Sequence, residues 1–216
     1  MFGTLALNNS DLLILILICF FAGLIRGFSG FGLSAFVMSL ALTIIPPIEL
    51  IPVCWWMEFV ASVFMIRNGW KDSDKKISII LWLGAVFGLP IGIALTTILD
   101  FQTSKIVALV LILILALILL RNFKIQFLST SVGTISSGVF AGVATGLASI
   151  GGMIVAIYVL ASQNSARRVR ASIVLYIFLN SVTTFIFLIL FDVMDHKAFV
   201  RGVLLAVPSS IGVVLG

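Results

Sequence analysis

The chain has 216 residues, 62% of them hydrophobic and 10% charged, with a formal net charge of +5 and a mean hydropathy of +1.31. Soluble domains carry roughly 25% charged residues, so a water-soluble fold is excluded. Apolar runs of about 15 to 25 residues exclude a membrane barrel as well, because barrel strands alternate polar and apolar over about ten residues.

Taken from the start, Met1 to Asp11 lacks the basic stretch of a signal peptide, and the apolar run after it lacks a cleavage pattern, so this segment is expected to belong to the mature fold. The first apolar segment covers residues 12–44. As one helix, Leu12 to Leu42 would be about 46 Å long, against about 30 Å of hydrocarbon. A break is therefore expected, supplied by Gly27, Gly30 and Gly32. Three helices follow at 48–66, 77–99 and 104–120. A second broken segment covers 131–161, with Gly146, Gly151 and Gly152 at its break, and helices at 171–191 and 198–216 follow it.

The two broken segments are copies. FAGLIRGFSGFGLSAFVMSLAL from Phe21 aligns without gaps on FAGVATGLASIGGMIVAIYVLA from Phe140, and farther on Gly84 and Pro90 match Gly202 and Pro208. The expected architecture is an all-α integral membrane protein of two repeats, 1–125 and 126–216. Each repeat is a Gly-broken segment plus transmembrane helices. The second repeat lacks a partner for 104–120, so a truncated C-terminus is expected.

Charge suggests how the repeats are oriented. If both broken segments enter and return on the same side, each full repeat crosses three times and the repeats are inverted. Arg67, Lys71, Lys75, Lys76, Arg121, Lys124, Arg167, Arg168 and Arg170 then share one face, against Lys105, Lys197 and Arg201 on the other. Single crossings would divide the charges less unevenly and would put Arg167 to Arg170 outside, contrary to the retention of positive loops in the cytoplasm. Asp11, Glu49, Asp100, Asp192 and Asp195 are then external.

Broken helices at corresponding positions of inverted repeats form the substrate sites of many secondary transporters. A helix N-terminus offers unpaired N–H groups and a partial positive charge, and glycine lets an anion approach them. The candidates are Gly27, Ser29, Gly30 and Gly32 in the first repeat, with Thr145, Gly146, Ser149, Gly151 and Gly152 in the second. Close helix packing is the competing explanation for the glycines, and the stronger one for Gly84, Gly88 and Gly92. Arg26 lies deep in an apolar run, where a guanidinium costs about 2.5 to 3.5 kcal/mol on insertion scales. It holds an anionic substrate, forms a fixed ion pair with Glu58, the one acid inside an apolar run, or snorkels to the surface. Asn180, mid-span in the second repeat, is expected to line the same cavity or to bond across helices.

Other features read as ordinary membrane architecture. Cys19 and Cys54 are expected to be small buried hydrophobes, and Trp70 and Trp82 interface anchors. Trp55 and Trp56 are either packing or cavity wall. Gly27-Phe28-Ser29-Gly30 is similar to the Gly-x-Ser-Gly of rhomboid proteases, but such a serine needs a histidine base, and His196 is expected in an external loop. No Walker run, cofactor motif, metal-ligand pattern or nucleic-acid signal occurs.

The motif AGLIRGFSGFGLSAFVM, the Pro-Pro turn after it, the basic loop and the weaker second copy GLASIGGM resemble the TauE/SafE sulfite exporter family over the whole chain. The resemblance implies a multi-pass transporter of the bacterial inner membrane. Its substrates would be small sulfur-containing anions such as sulfite or organosulfonates, moved outward without a cofactor. An anion channel-like pore is the alternative, and an intramembrane serine hydrolase using Ser29 a remote one.

Overall fold

The computed structural model describes residues 8–121, 130–161 and 165–216, and the described residues form helices without strands. Among the described residues nine helices run in chain order: α1 Asn9–Ser29, α2 Leu33–Ala41, α3 Pro47–Asp72, α4 Lys75–Ile98, α5 Phe101–Arg121, α6 Ser131–Ala148, α7 Gly151–Ala161, α8 Ala166–Leu190 and α9 His196–Leu215. Among the described residues, six of these are long and apolar enough to cross a membrane, namely α1, α3, α4, α5, α8 and α9. The expected spans 48–66, 77–99, 104–120, 171–191 and 198–216 fall on α3, α4, α5, α8 and α9, whose bounds differ from them by one to six residues at each end. Lys124, the start of the chain before Asn8 and the 125/126 repeat boundary lie outside the described residues.

Both long apolar segments are broken. In the first, Gly30 and Gly32 adopt the left-handed conformation at φ 86° and 90°, which glycine enters without steric cost. In the second, α6 continues through Gly146 and ends at Ser149, itself left-handed at φ 58°. The chain then doubles back: the Thr134 and Tyr158 hydroxyls are 2.6 Å apart, and Gly151 is packed against the Ala141 carbonyl, ten residues upstream. With 11 residues, α7 is about 16 Å long, half the hydrocarbon thickness. The expected break glycines are thus corrected in part. Gly27 and Gly146 lie inside helices, Gly151 and Gly152 begin α7, and the turn of the second segment is made by Ser149 and Ile150.

Gly27 and Gly146 serve close helix packing instead. Any side chain at Gly88, Gly92, Gly142 or Gly146 would strike backbone atoms across the α4–α6 contact, and Gly23, Gly27 and Gly212 make the equivalent contact between α1 and α9. Contacts advance in the same sense along both partners. Gly84, Gly88 and Gly92 meet Ile135, Val139 and Val143, while Gly23 and Gly27 meet Ser209 and Val213, so each pair runs parallel. By contrast α3 and α8 are antiparallel, because Trp55 Nε1 donates to the Ser181 carbonyl at 2.7 Å whereas Arg167 Nε donates to Asp72 at 2.8 Å.

The ends of the bundle are electrically distinct. Arg167, Asp72 and Lys75 cluster at one end. At the other, Arg201 pairs with Glu49 at 2.5 Å. Arg201 is 5% exposed and buried in α9, not a loop charge. His196 likewise is the first residue of α9, whose N-cap Asp195 accepts from Ala198 N at 2.7 Å.

Candidate functional site

The Arg26 side chain enters the bundle one turn before the end of α1 and is 0% exposed. Its Nε lies 3.2 Å from Glu58 Oε2, and Nη2 donates to Ser62 Oγ at 3.0 Å. Glu58 and Ser62 stand one turn apart on α3, so a single face of that helix supplies both partners. The second oxygen of Glu58 accepts from Ser34 Oγ at 2.9 Å and from Ser34 N at 3.3 Å. Ser34 lies in the first turn of α2, where backbone N–H groups have no helical acceptor. A carboxylate therefore sits on a helix N-terminus, a hydroxyl and a guanidinium, which is the equipment for holding an oxyanion. Arg26 Nη1 has no hydrogen-bond partner.

Beside Glu58 lies a polar cavity of about 30 Å³, lined by Trp55, Glu58, Thr145, Ser149, Gly152, Tyr176, Ile177, Asn180, Ser181 and Thr184. Asn180 Nδ2 points to Thr145 Oγ1 at 3.4 Å and Thr184 Oγ1 at 3.5 Å. The Asn180 Oδ1 and Tyr176 hydroxyl are buried without hydrogen-bond partners. Arg26 and Thr145 both stand at the sixth position of the two aligned copies that start at Phe21 and Phe140. Both approach Glu58, one through an ion pair and one across the cavity.

The structure thus gathers Arg26, Glu58, Thr145, Ser149, Gly152 and Asn180 around one interior point. Gly30 and Gly32 shape the turn that brings Ser34 there. Gly27, Gly146 and Gly151 are packing positions, and the Gly27 carbonyl accepts from Arg170. Ser29 is also displaced from the expected role. It ends α1, where carbonyls and not N–H groups are unpaired, and its hydroxyl lies 2.7 Å from Ile25 O and 2.6 Å from Phe31 O. The free N–H groups belong to α2.

Ser34, Ser62, Tyr176 and Thr184 were not expected at the site, whereas Trp55 lines the cavity, one of the two places expected for it. The signal for Ser34 and Ser62 was their place relative to Arg26 and Glu58. Ser62 follows Glu58 by one helical turn, and Ser34 follows the glycine break. Trp56, by contrast, packs edge-on against Phe199. Cys19 and Cys54 are buried free thiols, Trp70 lies under Lys75, and Trp82 donates to Thr183 at 2.9 Å.

A second, larger cavity of about 740 Å³ opens at the Arg167 end, lined among others by Phe28, Ser29, Phe31, Asp72, Arg167 and Arg170. Phe31 lies close to both spaces. It lines the larger one, while its Cβ lies 4.0 Å from where a side chain at Gly152 would begin, on the wall of the smaller. The two broken segments therefore meet inside the bundle.

No curated protein and no solved structure matches this chain. The family model of sulfite exporter TauE/SafE matches residues 15–216 of this membrane bundle, and the chain belongs to that family.

Proposed function

We propose that this chain is a secondary transporter that exports a small sulfur oxyanion, sulfite or an organosulfonate, across the bacterial inner membrane, with Arg26 holding the anion. The observation that carries the reading is a fully buried guanidinium with a free Nη1, placed where the turn between α1 and α2 meets the start of α7. A planar guanidinium offers a fork matched to sulfite or sulfonate oxygens. An inside-negative potential favours anion exit by about 2.3 kcal/mol per charge per 100 mV.

Topology supports the same reading. The basic stretches ending α3 and beginning α8 adjoin through the Arg167–Asp72 pair, so both face the cytoplasm under the positive-inside rule. The parallel α1–α9 and α4–α6 pairs and the antiparallel α3–α8 pair are the directions two inverted repeats would adopt. The larger cavity then opens to the cytoplasm, and Phe31 lies close to both it and the inner site.

A central space of about 30 Å³ holds roughly one water molecule, which favours a carrier that must rearrange over an open anion channel. The serine hydrolase reading loses support because Ser29 is engaged with the α1 terminus. Purified protein in liposomes tests the function: sulfite flux should saturate and show counterflow. Flux proportional to concentration without counterflow would make the protein a channel.

A further inference from the structure

The anion-holding groups described above are already occupied, by a carboxylate of the chain itself. Arg26 Nε, Ser34 N and Ser34 Oγ all converge on Glu58, which is 8% exposed. The equivalent place in the second repeat carries no carboxylate. There Thr145 stands for Arg26, and the start of α7 faces a cavity. Glu58 borders both spaces: it is bonded on the Arg26 side and lines the cavity on the other.

We propose that Glu58 is a tethered competitor of the transported anion: it occupies the anion's seat on Arg26 and Ser34, and yields it by taking a proton and turning into the cavity. This deepens the reading of Arg26 as the anion-binding residue and rests on it. Two negative groups on one guanidinium repel at close range in a low dielectric, so the carboxylate must leave or be neutralised when an oxyanion arrives. The cavity is equipped to receive a neutral carboxyl. Asn180 Oδ1, on a residue 6% exposed, has no partner and would accept the acid's proton in a hydrogen bond, while the Tyr176 hydroxyl, on a residue 0% exposed, has none either and would donate to its carbonyl oxygen. A buried polar group left unpaired costs about 1 to 3 kcal/mol, and the turned carboxyl would satisfy both.

The titratable groups facing Glu58 are Arg26 on α1, Cys54 on its own helix and Tyr176 on α8. From α2, α6 and the α6–α7 turn it meets the hydroxyl residues Ser34, Thr145 and Ser149. Arg170 on α8 acts electrostatically on Arg26. One proton should therefore enter with each anion bound.

The test compares thiosulfate and sulfite binding to purified wild type and Glu58→Gln, followed by intrinsic tryptophan fluorescence and thermal shift between about pH 5 and pH 8. The variant should bind at least about tenfold more tightly at the alkaline end, and the ratio of affinities, in which each anion's own titration cancels, should close by up to about tenfold per pH unit toward the acid end. A ratio at or below one at the alkaline end, or a ratio that does not change with pH, overturns the proposal. Should Glu58→Gln fail to fold, wild-type protein in weak buffer supplies the answer, because thiosulfate binding should take up about one proton, and absence of uptake overturns it equally. Arg26→Gln separates the two levels: if it binds these anions as wild type does, or if neither it nor wild type binds them, the underlying reading of Arg26 fails. If Arg26→Gln alone loses binding while Glu58→Gln behaves as wild type, only the competitor proposal fails.

Discussion

At the scale of single residues, the ion pair of Arg26 and Glu58 has to be judged by stability and activity separately. Removing one partner of a buried pair leaves an uncompensated charge and typically costs about 3 to 5 kcal/mol. Arg26→Gln should accordingly unfold at lower temperature in detergent, and Arg26→Gln/Glu58→Gln should recover most of that loss without recovering transport. Arg26→Lys keeps the charge but loses the fork, so flux should fall by about tenfold or more, an amount equal to about 1.4 kcal/mol. Ser29→Ala removes only local bonds, to Ile25 O and Phe31 O and from Phe31 N, and should leave flux within about twofold, since such a bond contributes about 0.5 to 1.5 kcal/mol of stability. The pairing of Arg26 with Glu58 was legible in the sequence because a charge within an apolar run demands a partner. Ser34, Ser62 and Tyr176 were not, because a hydroxyl inside a membrane helix is commonly satisfied by its own helix, as Ser181 Oγ is by the Ile177 carbonyl at 2.7 Å.

At the scale of helices, the glycines divide by neighbourhood and not by motif. Gly30 and Gly32 turn the chain, whereas Gly88 and Gly142 let α4 and α6 touch backbone to backbone. Gly88→Ala would drive its methyl into the Val139 carbonyl. It should lower stability by about 1 to 3 kcal/mol, as overpacking does, read as a lower unfolding temperature in detergent. An unchanged unfolding temperature would mean that α4 and α6 are not in direct backbone contact. Helix number and length were readable because runs of this hydrophobicity have one outcome in a bilayer. The position of the second turn was not, since a left-handed residue is expected to be glycine and here it is Ser149 at φ 58°.

At the scale of the whole molecule, the two Gly-rich copies align without gaps, but helix pairing was not legible, because nothing in the copies says which partner helix each glycine row meets. The structure pairs α1 with α9 and α4 with α6, and lays α3 along α8. If the repeats are inverted as proposed, cysteines placed at Lys76 and Ser165 resist an impermeant reagent applied outside intact cells, while one at Lys197 is modified. Modification of Lys76 or Ser165 alone would rule out that arrangement.

Sulfite counterflow in proteoliposomes made from wild type and from well-folded Arg26→Gln/Glu58→Gln decides whether a small sulfur oxyanion crosses the membrane on Arg26. Wild type should exchange radiolabelled sulfite with saturation, and the double variant should fall to the level of empty liposomes; undiminished counterflow by the folded double variant would contradict the claim and leave Arg26 a structural residue.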